Sequence, residues 1–312
     1  MSLLRLTGTV LVLALQCLFF PNTIFAHPPS GIVVDVQGHV YILYRGVVRI
    51  ESSGKITTIQ EDSAAHWLAL GSRNDFSSMP PVPYKRVTSD GFTLVFGEGA
   101  PLVIGTDGNL YYGSNGSRSE SFPTGAMTVV KLSASGQRSL FAPSLHQELT
   151  DLKDGITGLA TGSDGSIYVA TWNGILKLNG EGSLAKIMHP VSVKDCDSDP
   201  ADHNPANAHS PLLCGLGVDS DGNVYVAATS CHRVLKITPS GHVESILKSE
   251  RPWSPTGIAV SGRDIYVLEY TNANGPKTEG WYPRVRHLGI NGTWKTLLSV
   301  SPETSSAITN PN

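Results

Sequence analysis

Charge is scarce in this chain and nearly balanced: 16% of its 312 residues are charged, and 23 basic residues face 26 acidic ones. That balance leaves no electrostatic footprint for a nucleic acid or an anionic membrane surface. Long apolar runs are missing beyond residue 26, so no later segment reads as a membrane-spanning helix. No long window carries a helical apolar period, which argues against an α-rich fold. A glycine-rich phosphate loop, a serine-nucleophile elbow and a paired-cysteine redox motif are all lacking, and the chemistries that depend on them go with them. Cysteine is confined to Cys17, Cys196, Cys214 and Cys231.

Glycine and proline, by contrast, are abundant, with 32 and 20 residues. Many of the glycines fall in a repeat: a basic or imidazole residue, an aliphatic one, three small or polar residues, then glycine. It runs from Arg49 to Gly54, Arg86 to Gly91, Lys131 to Gly136, Lys177 to Gly182, Lys236 to Gly241 and His287 to Gly292, with starts 37 to 59 residues apart. A second signature, a glycine turn followed by an apolar pair with tyrosine, precedes most of them: Gly38 to Tyr41, Gly108 to Tyr111, Gly165 to Tyr168 and Gly222 to Tyr225. Glycine supplies the positive φ of a tight turn, and the flanking alternation is that of strands. In the last repeat Gly262-Arg263 makes the turn between Ile258-Ala259-Val260 and Ile265-Tyr266-Val267. The second is degenerate, with Trp67-Leu68-Ala69-Leu70, a Ser/Pro-rich loop, and Arg86 to Phe96 as its second half.

Each unit reads as two hairpins, and the period is that of four short strands with their turns. The expected fold is therefore all-β, a six-bladed β-propeller of four-stranded antiparallel blades over residues 27–301, with 302–312 as a tail. The first 26 residues read as a signal peptide: Arg5 gives a positive n-region, Val10 to Phe20 an apolar stretch, and Ile24-Phe25-Ala26 a cleavage site. The mature chain is expected to be soluble, monomeric, and secreted or periplasmic. Without the leader 22 basic residues face 26 acidic ones, and three cysteines remain.

In an oxidising compartment two of those three are expected to pair. Propeller topology brings Cys196, Cys214 and Cys231 to one face, with Cys196 pinning the longest insertion, and the connectivity stays open. That insertion also carries Asp195, Asp197, Asp199, Asp202, His203 and His209. Alternating aspartates suit a hard cation such as calcium, while a solvated acidic loop is the plain alternative. His203, His209 and a cysteine form a third arrangement, for a softer metal.

Propeller sites gather where the inner strands begin. Those positions are His27 to Ser30, Ala65-His66, Glu98-Gly99, Asp154-Gly155, His209 to Leu213, and Trp253-Ser254-Pro255. His66, Glu98, Asp154 and His209 thus become candidate ligands for an axial metal. Glu269, inside the apolar strand Tyr266 to Tyr270, needs a partner, with Arg284 or Arg286 the candidates. Trp172 and Trp253 either line a ligand cleft or wedge between blades. Asn115-Gly116-Ser117 and Asn291-Gly292-Thr293 match the glycosylation pattern.

On these repeats the chain resembles the NHL-repeat and senescence-marker-protein/gluconolactonase propellers. Gly97-Glu98-Gly99-Ala100-Pro101 is similar to the Gly-Glu-Gly-Pro segment of the gluconolactonase group, with an alanine interrupting it, and Asp154-Gly155-Ile156 is similar to its Asp-Gly-aliphatic segment. The resemblance implies a divalent metal, calcium or zinc, held by Glu98 and Asp154, with Asp154 also the base. It also reaches the peptidylglycine amidating lyases, which would give His66 and His209 to zinc.

Two functions follow as expectations. One is a metal-dependent, lactonase-like hydrolase of a small molecule, in which His66 or His209 completes the shell. The other is a non-catalytic propeller whose loop face binds a protein, peptide or glycan.

Overall fold

The computed structural model describes residues 30–62, 64–72, 84–89, 91–97, 99–115, 126–196, 211–272 and 281–305. They form six sheets. Blade 1 holds β1 (Ile32–Val34), β2 (Val40–Leu43), β3 (Gly46–Ile50) and β4 (Ile56–Glu61). Blade 2 holds β5 (Trp67–Ser72), β6 (Tyr84–Ser89) and β7 (Phe92–Gly97). Blade 3 comprises β8 (Leu102–Ile104), β9 (Leu110–Asn115), β10 (Met127–Leu132) and β11 (Arg138–Leu140), and a short helix α1 (Leu145–Leu152) follows it. Blade 4 comprises β12 (Ile156–Thr161), β13 (Ile167–Thr171), β14 (Ile175–Leu178) and β15 (Leu184–Met188). Blade 5 contains β16 (Leu213–Val218), β17 (Val224–Ala228), β18 (Arg233–Ile237) and β19 (Val243–Lys248), and blade 6 contains β20 (Ser254–Ser261), β21 (Asp264–Asn272), β22 (Trp281–Leu288) and β23 (Trp294–Ser299). Five blades are antiparallel meanders of four strands, as the repeats imply. No helix of the described residues is long and apolar enough to cross a membrane.

The two sequence signatures meet in space. The tyrosine that follows each glycine turn pairs across the sheet with the basic residue that opens the next signature: Tyr41 with Arg49, Tyr111 with Lys131, Tyr168 with Lys177, Tyr225 with Lys236 and Tyr266 with His287. Three of the lysines lie over their tyrosine rings at 5.2 to 5.8 Å, and His287 stacks on Tyr266 at 4.5 Å. An aspartate before the turn ties this pair down. Asp107 accepts from Asn109, Tyr111 and Lys131, and Asp164 accepts from Ser166 and Lys177. In blades 1, 3, 4, 5 and 6 the repeated base is therefore a structural strut.

These struts have an acid signature. The Lys177 ammonium holds the Asp164 carboxyl down to about 2. Burial works against Asp107, yet bonds from Lys131, Asn109 and Tyr111 hold it well below the usual range. A depressed carboxylate stabilises the fold above its unfolded value, about 3.9, and that contribution disappears as pH falls through the folded value. Both groups are partly exposed, so each adds about 1 kcal/mol at most. Thermal melts from pH 5 down to pH 2 are expected to show falling stability, with a shallower fall in Lys177→Met.

Blade 2 departs from the expected form. Its described strands number three, in the order β5, β7, β6, so Arg86 sits on an edge opposite Val95 and not opposite a tyrosine. The reason lies in the side chains. Thr93 to Gly97 are buried, whereas Lys85, Arg86 and Thr88 face solvent, and a strand paired on both edges needs the more apolar sequence. Lys85 then clips the edge to Asp62 of blade 1 at 2.8 Å.

Six apolar clusters among the described residues each span one blade boundary. The ring closes without exchanging a strand. Ile32, Ile42 and Val48 of blade 1 pack against Leu268, Tyr270 and Val285 of blade 6, and the Tyr270 hydroxyl donates to the Leu43 carbonyl.

Candidate functional site

The face where the inner strands begin also receives the loops between second and third strands. In blade 4, α1 ends at Lys153 in a left-handed conformation (φ 53°), and the Asp154 amide donates back to Leu149. The helix end thus delivers Asp154, 3% exposed, to the start of β12. Its Oδ1 accepts from the Gly155 and Trp172 amides, each at 2.8 Å. Its Oδ2 accepts from the Thr171 hydroxyl at 2.8 Å and the Asn173 amide at 3.2 Å, and lies 3.0 Å from His189 Nε2. A carboxylate offers about four acceptor sites. Five partners saturate it, so a cation on Asp154 would have to displace at least one of these groups, and the described surroundings of this residue do not fit a metal.

His66 contributes backbone to the same face: its amide donates to Gly97, and its carbonyl accepts from Ser30 and Gly31, stitching blades 1 and 2. Glu98, His209, Asp197, Asp199 and Asp202 lie outside the described residues, as do His27 and His203. Asp195 is described; its φ is 53° and its carbonyl accepts from Arg233 at 2.9 Å. Among the described residues no three His, Cys, Asp or Glu side chains are grouped to hold a metal ion.

Cys196 and Cys231 form a disulfide across 35 residues, so the root of the insertion is tied to the short turn Thr229–Cys231 that follows β17. Among the described residues Cys214 is the free thiol, and burial pushes it up to about 11 despite a bond with Thr229. Closing a loop of that length contributes roughly 3–4 kcal/mol in the chain-entropy account. Reduction is expected to lower the melting temperature, and a thiol reagent is expected to label Cys214 only after denaturant is added.

Beside the disulfide lies a polar cluster over blades 5 and 6. His232, held at φ 52°, follows Cys231, and its Nδ1 sits 2.7 Å from the Trp253 carbonyl and 2.9 Å from the Ser254 hydroxyl. Glu269 is 0% exposed; it accepts from Ser249 and, at 2.6 Å, from Arg284 Nε. This is the ion pair that the apolar surroundings of Glu269 demand. Arg284 also pairs with Glu250 and lies 4.3 Å from the Trp253 ring centre. Against the cost of its own desolvation, the two glutamates hold the Arg284 guanidinium pKa up, while Arg284 holds Glu250 below the usual carboxylate range. Sequence reasoning reached Trp253, Glu269 and Arg284 but missed His189, His232 and Ser249, whose roles arise from turns that bring distant segments together.

Several buried polar atoms have no hydrogen-bond partner among the described residues: Ser30 Oγ, Ser114 Oγ, Thr157 Oγ1, Thr271 Oγ1, Trp281 Nε1 and Arg284 Nη2. Ser30 precedes β1, Ser114, Thr157, Thr271 and Trp281 lie at or beside strand ends on this same face, and Arg284 lies within β22.

No protein-family model matches the chain, and no curated protein matches it. Solved structures do. A luciferin-regenerating enzyme aligns over 87% of this chain and 94% of its own at 15% identity, with a TM-score of 0.53. Virginiamycin B lyase from Staphylococcus aureus covers 90% and 86% at 16% identity and a TM-score of 0.48. Regucalcin from Agrobacterium tumefaciens, a calcium-binding protein, covers 84% and 90% at 14% identity and a TM-score of 0.49. At such identities the likeness concerns architecture alone, and by architecture the chain is a six-bladed β-propeller.

Proposed function

We propose that the protein is a hydrolase of a hydroxyl-rich lactone or ester, acting on the face where the inner strands begin, over blades 5 and 6. The observation that carries the reading is the set of buried hydroxyl and N–H groups left unmatched on that face, three of which, Thr271 Oγ1, Trp281 Nε1 and Arg284 Nη2, belong to blade 6. Each such group costs about 1–3 kcal/mol unless something meets it, and a substrate rich in oxygen would meet several at once. In this reading His232 carries its proton on Nδ1 toward Trp253, which makes Nε2 the proton-accepting nitrogen for an attacking water. Arg284 donates from Nη2 to the carbonyl oxygen as charge develops on it, and Glu269 keeps the guanidinium in place. In the metal-dependent form of the reading, Glu98 with His66 or His209 would hold calcium or zinc, and such a cation would supply polarisation of the carbonyl. The mature chain works outside the cytosol, secreted or periplasmic, which the Cys196–Cys231 pair supports.

The test is a panel of sugar lactones and aryl esters assayed with wild type and His232→Asn, beside elemental mass spectrometry of wild type and Glu98→Gln. Turnover that falls at least about a hundredfold in His232→Asn supports the general-base role. One equivalent of divalent ion lost in Glu98→Gln supports the metal-dependent form. A second reading, a propeller that binds a protein, peptide or glycan without turning it over, is favoured by the disulfide at the root of the insertion on the same face. Absence of turnover across the panel would select it.

A further inference from the structure

On the opposite face, between blades 4 and 5, lies a cavity of about 330 Å³. Its walls are Tyr168, Ile175, Met188, Val218, Val224 and Ile237, and its rim is made by the turns of both blades. The repeat explains why the space exists here. In blade 3 the residue after β11, Phe141, packs edge-on against Tyr111 with ring centres 4.8 Å apart. It also presses so closely on the next blade's turn that a Cβ on Gly182 would lie 1.7 Å from the Phe141 carbonyl oxygen. The register places Met188 at the corresponding position of blade 4. A Cβ on Gly241, the counterpart of Gly182, would meet only the Met188 methyl, at 3.3 Å. A flexible thioether thus stands where the neighbouring boundary has a rigid ring.

The rim has a definite charge pattern. Lys177 is spent on Asp164 at 2.8 Å. Asp219 accepts from the Asp221 and Asn223 amides, the Asn223 side chain and Tyr225. Lys186 reaches across the mouth to the Pro239 carbonyl. The Asp221 carboxylate has no side-chain partner among the described residues. Three aspartates against two lysines leave the rim with one negative charge in excess.

We propose that this cleft is a second binding site, distinct from the polar face, for a small primary amine with an apolar ring or chain: the apolar part fills the space beside Met188 and the ammonium pairs with Asp221. The volume falls within the range of small-molecule sites, which are mostly apolar with a few placed polar groups. The reading does not depend on hydrolysis at the other face.

Isothermal titration with phenethylamine, 3-phenylpropionate and phenylalanine tests it. Phenethylamine is expected to bind at one site, more tightly than either analogue. Asp221→Asn is expected to weaken it roughly fivefold, the scale of an exposed ion pair. Met188→Phe, which supplies the ring that blade 3 already carries, is expected to abolish binding while keeping the wild-type circular dichroism and melting temperature or raising the latter. Failure of the amine to bind, equal binding of the carboxylate, or binding that survives Met188→Phe would overturn the proposal. Should Met188→Phe unfold, Val218→Phe provides the same block from the other wall.

Discussion

Replacing Gly257 with alanine is expected to destabilise the protein by about 3 kcal/mol or more, the upper range for overpacking. An alanine Cβ there would lie 2.4 Å from the Ser30 carbonyl oxygen, 3.1 Å from its carbonyl carbon and 3.0 Å from Ile32. The obstacle is backbone of the blade that closes the ring, so relief requires blade 1 to move away from blade 6. Gly215 and Gly158 hold the equivalent positions one and two boundaries earlier: their Cβ atoms would meet Gly257 Cα at 2.6 Å and the Cys214 carbonyl oxygen at 2.4 Å. Inner strands converge toward the axis, and glycine lets their backbones approach. Gly262→Ala makes a suitable control, because that turn has φ 61° with nothing within 4 Å of the added carbon. It is expected to cost about 1 kcal/mol through conformation alone. Thermal unfolding of the two variants compares them directly, and equal losses would remove convergence at the axis as the reason for these glycines.

The reach of sequence over this structure follows from what repeats. Blade number and most strand positions are legible because Gly-turn-Tyr and Lys-aliphatic-to-Gly are two halves of one cross-strand device, seen five times in Tyr41–Arg49 and its counterparts. The glycines of the inner strands were equally visible, as Gly31-Ile32, Gly158-Leu159, Gly215-Leu216 and Gly257-Ile258. Their purpose needs three dimensions, since Gly158, Gly215 and Gly257 answer to backbone dozens of residues away and Gly31 to the Leu43 and Leu68 side chains. Blade 2 is legible as a blade, but Arg86 to Gly91 carries the motif without its cross-strand tyrosine, because burial decides the order of the described strands. At the candidate site, sequence singled out Asp154 and could not find what surrounds it. Asp154 looks like a metal ligand in one dimension, and only folding reveals the loop amides that fill its oxygens. Cys196 with Cys231 was one of three possible pairings, and the short turn Thr229–Cys231 that brings Cys231 to Cys196 has no local signature.

Arg284→Met is expected to cost about 3–5 kcal/mol, because it strands Glu269 as an uncompensated buried charge. In a chain of this size that corresponds to a melting temperature about 10 °C lower. Ser249 would remain as the donor to Glu269, and one hydroxyl does not replace a guanidinium. The loss measures the stranded charge and not the worth of the pair, so removing both partners separates the two. Glu269→Leu combined with Arg284→Met is expected to recover most of the stability, as buried pairs commonly do when replaced by apolar groups of similar volume. Glu250 gives an independent reading. It is held down first by its bond to Arg284, and its stabilising contribution is present above its unfolded value and lost as pH falls through the folded one. In Arg284→Met its titration is expected to move up toward the ordinary range, observable by carbon-13 chemical shift. A double variant as unstable as the single one would mean that Arg284 supports the face by packing on Trp253, at 4.3 Å, more than by charge. Recovery of stability without recovery of turnover would place the pair in the chemistry of the face, because an apolar replacement restores packing and leaves no N–H to meet a developing oxyanion.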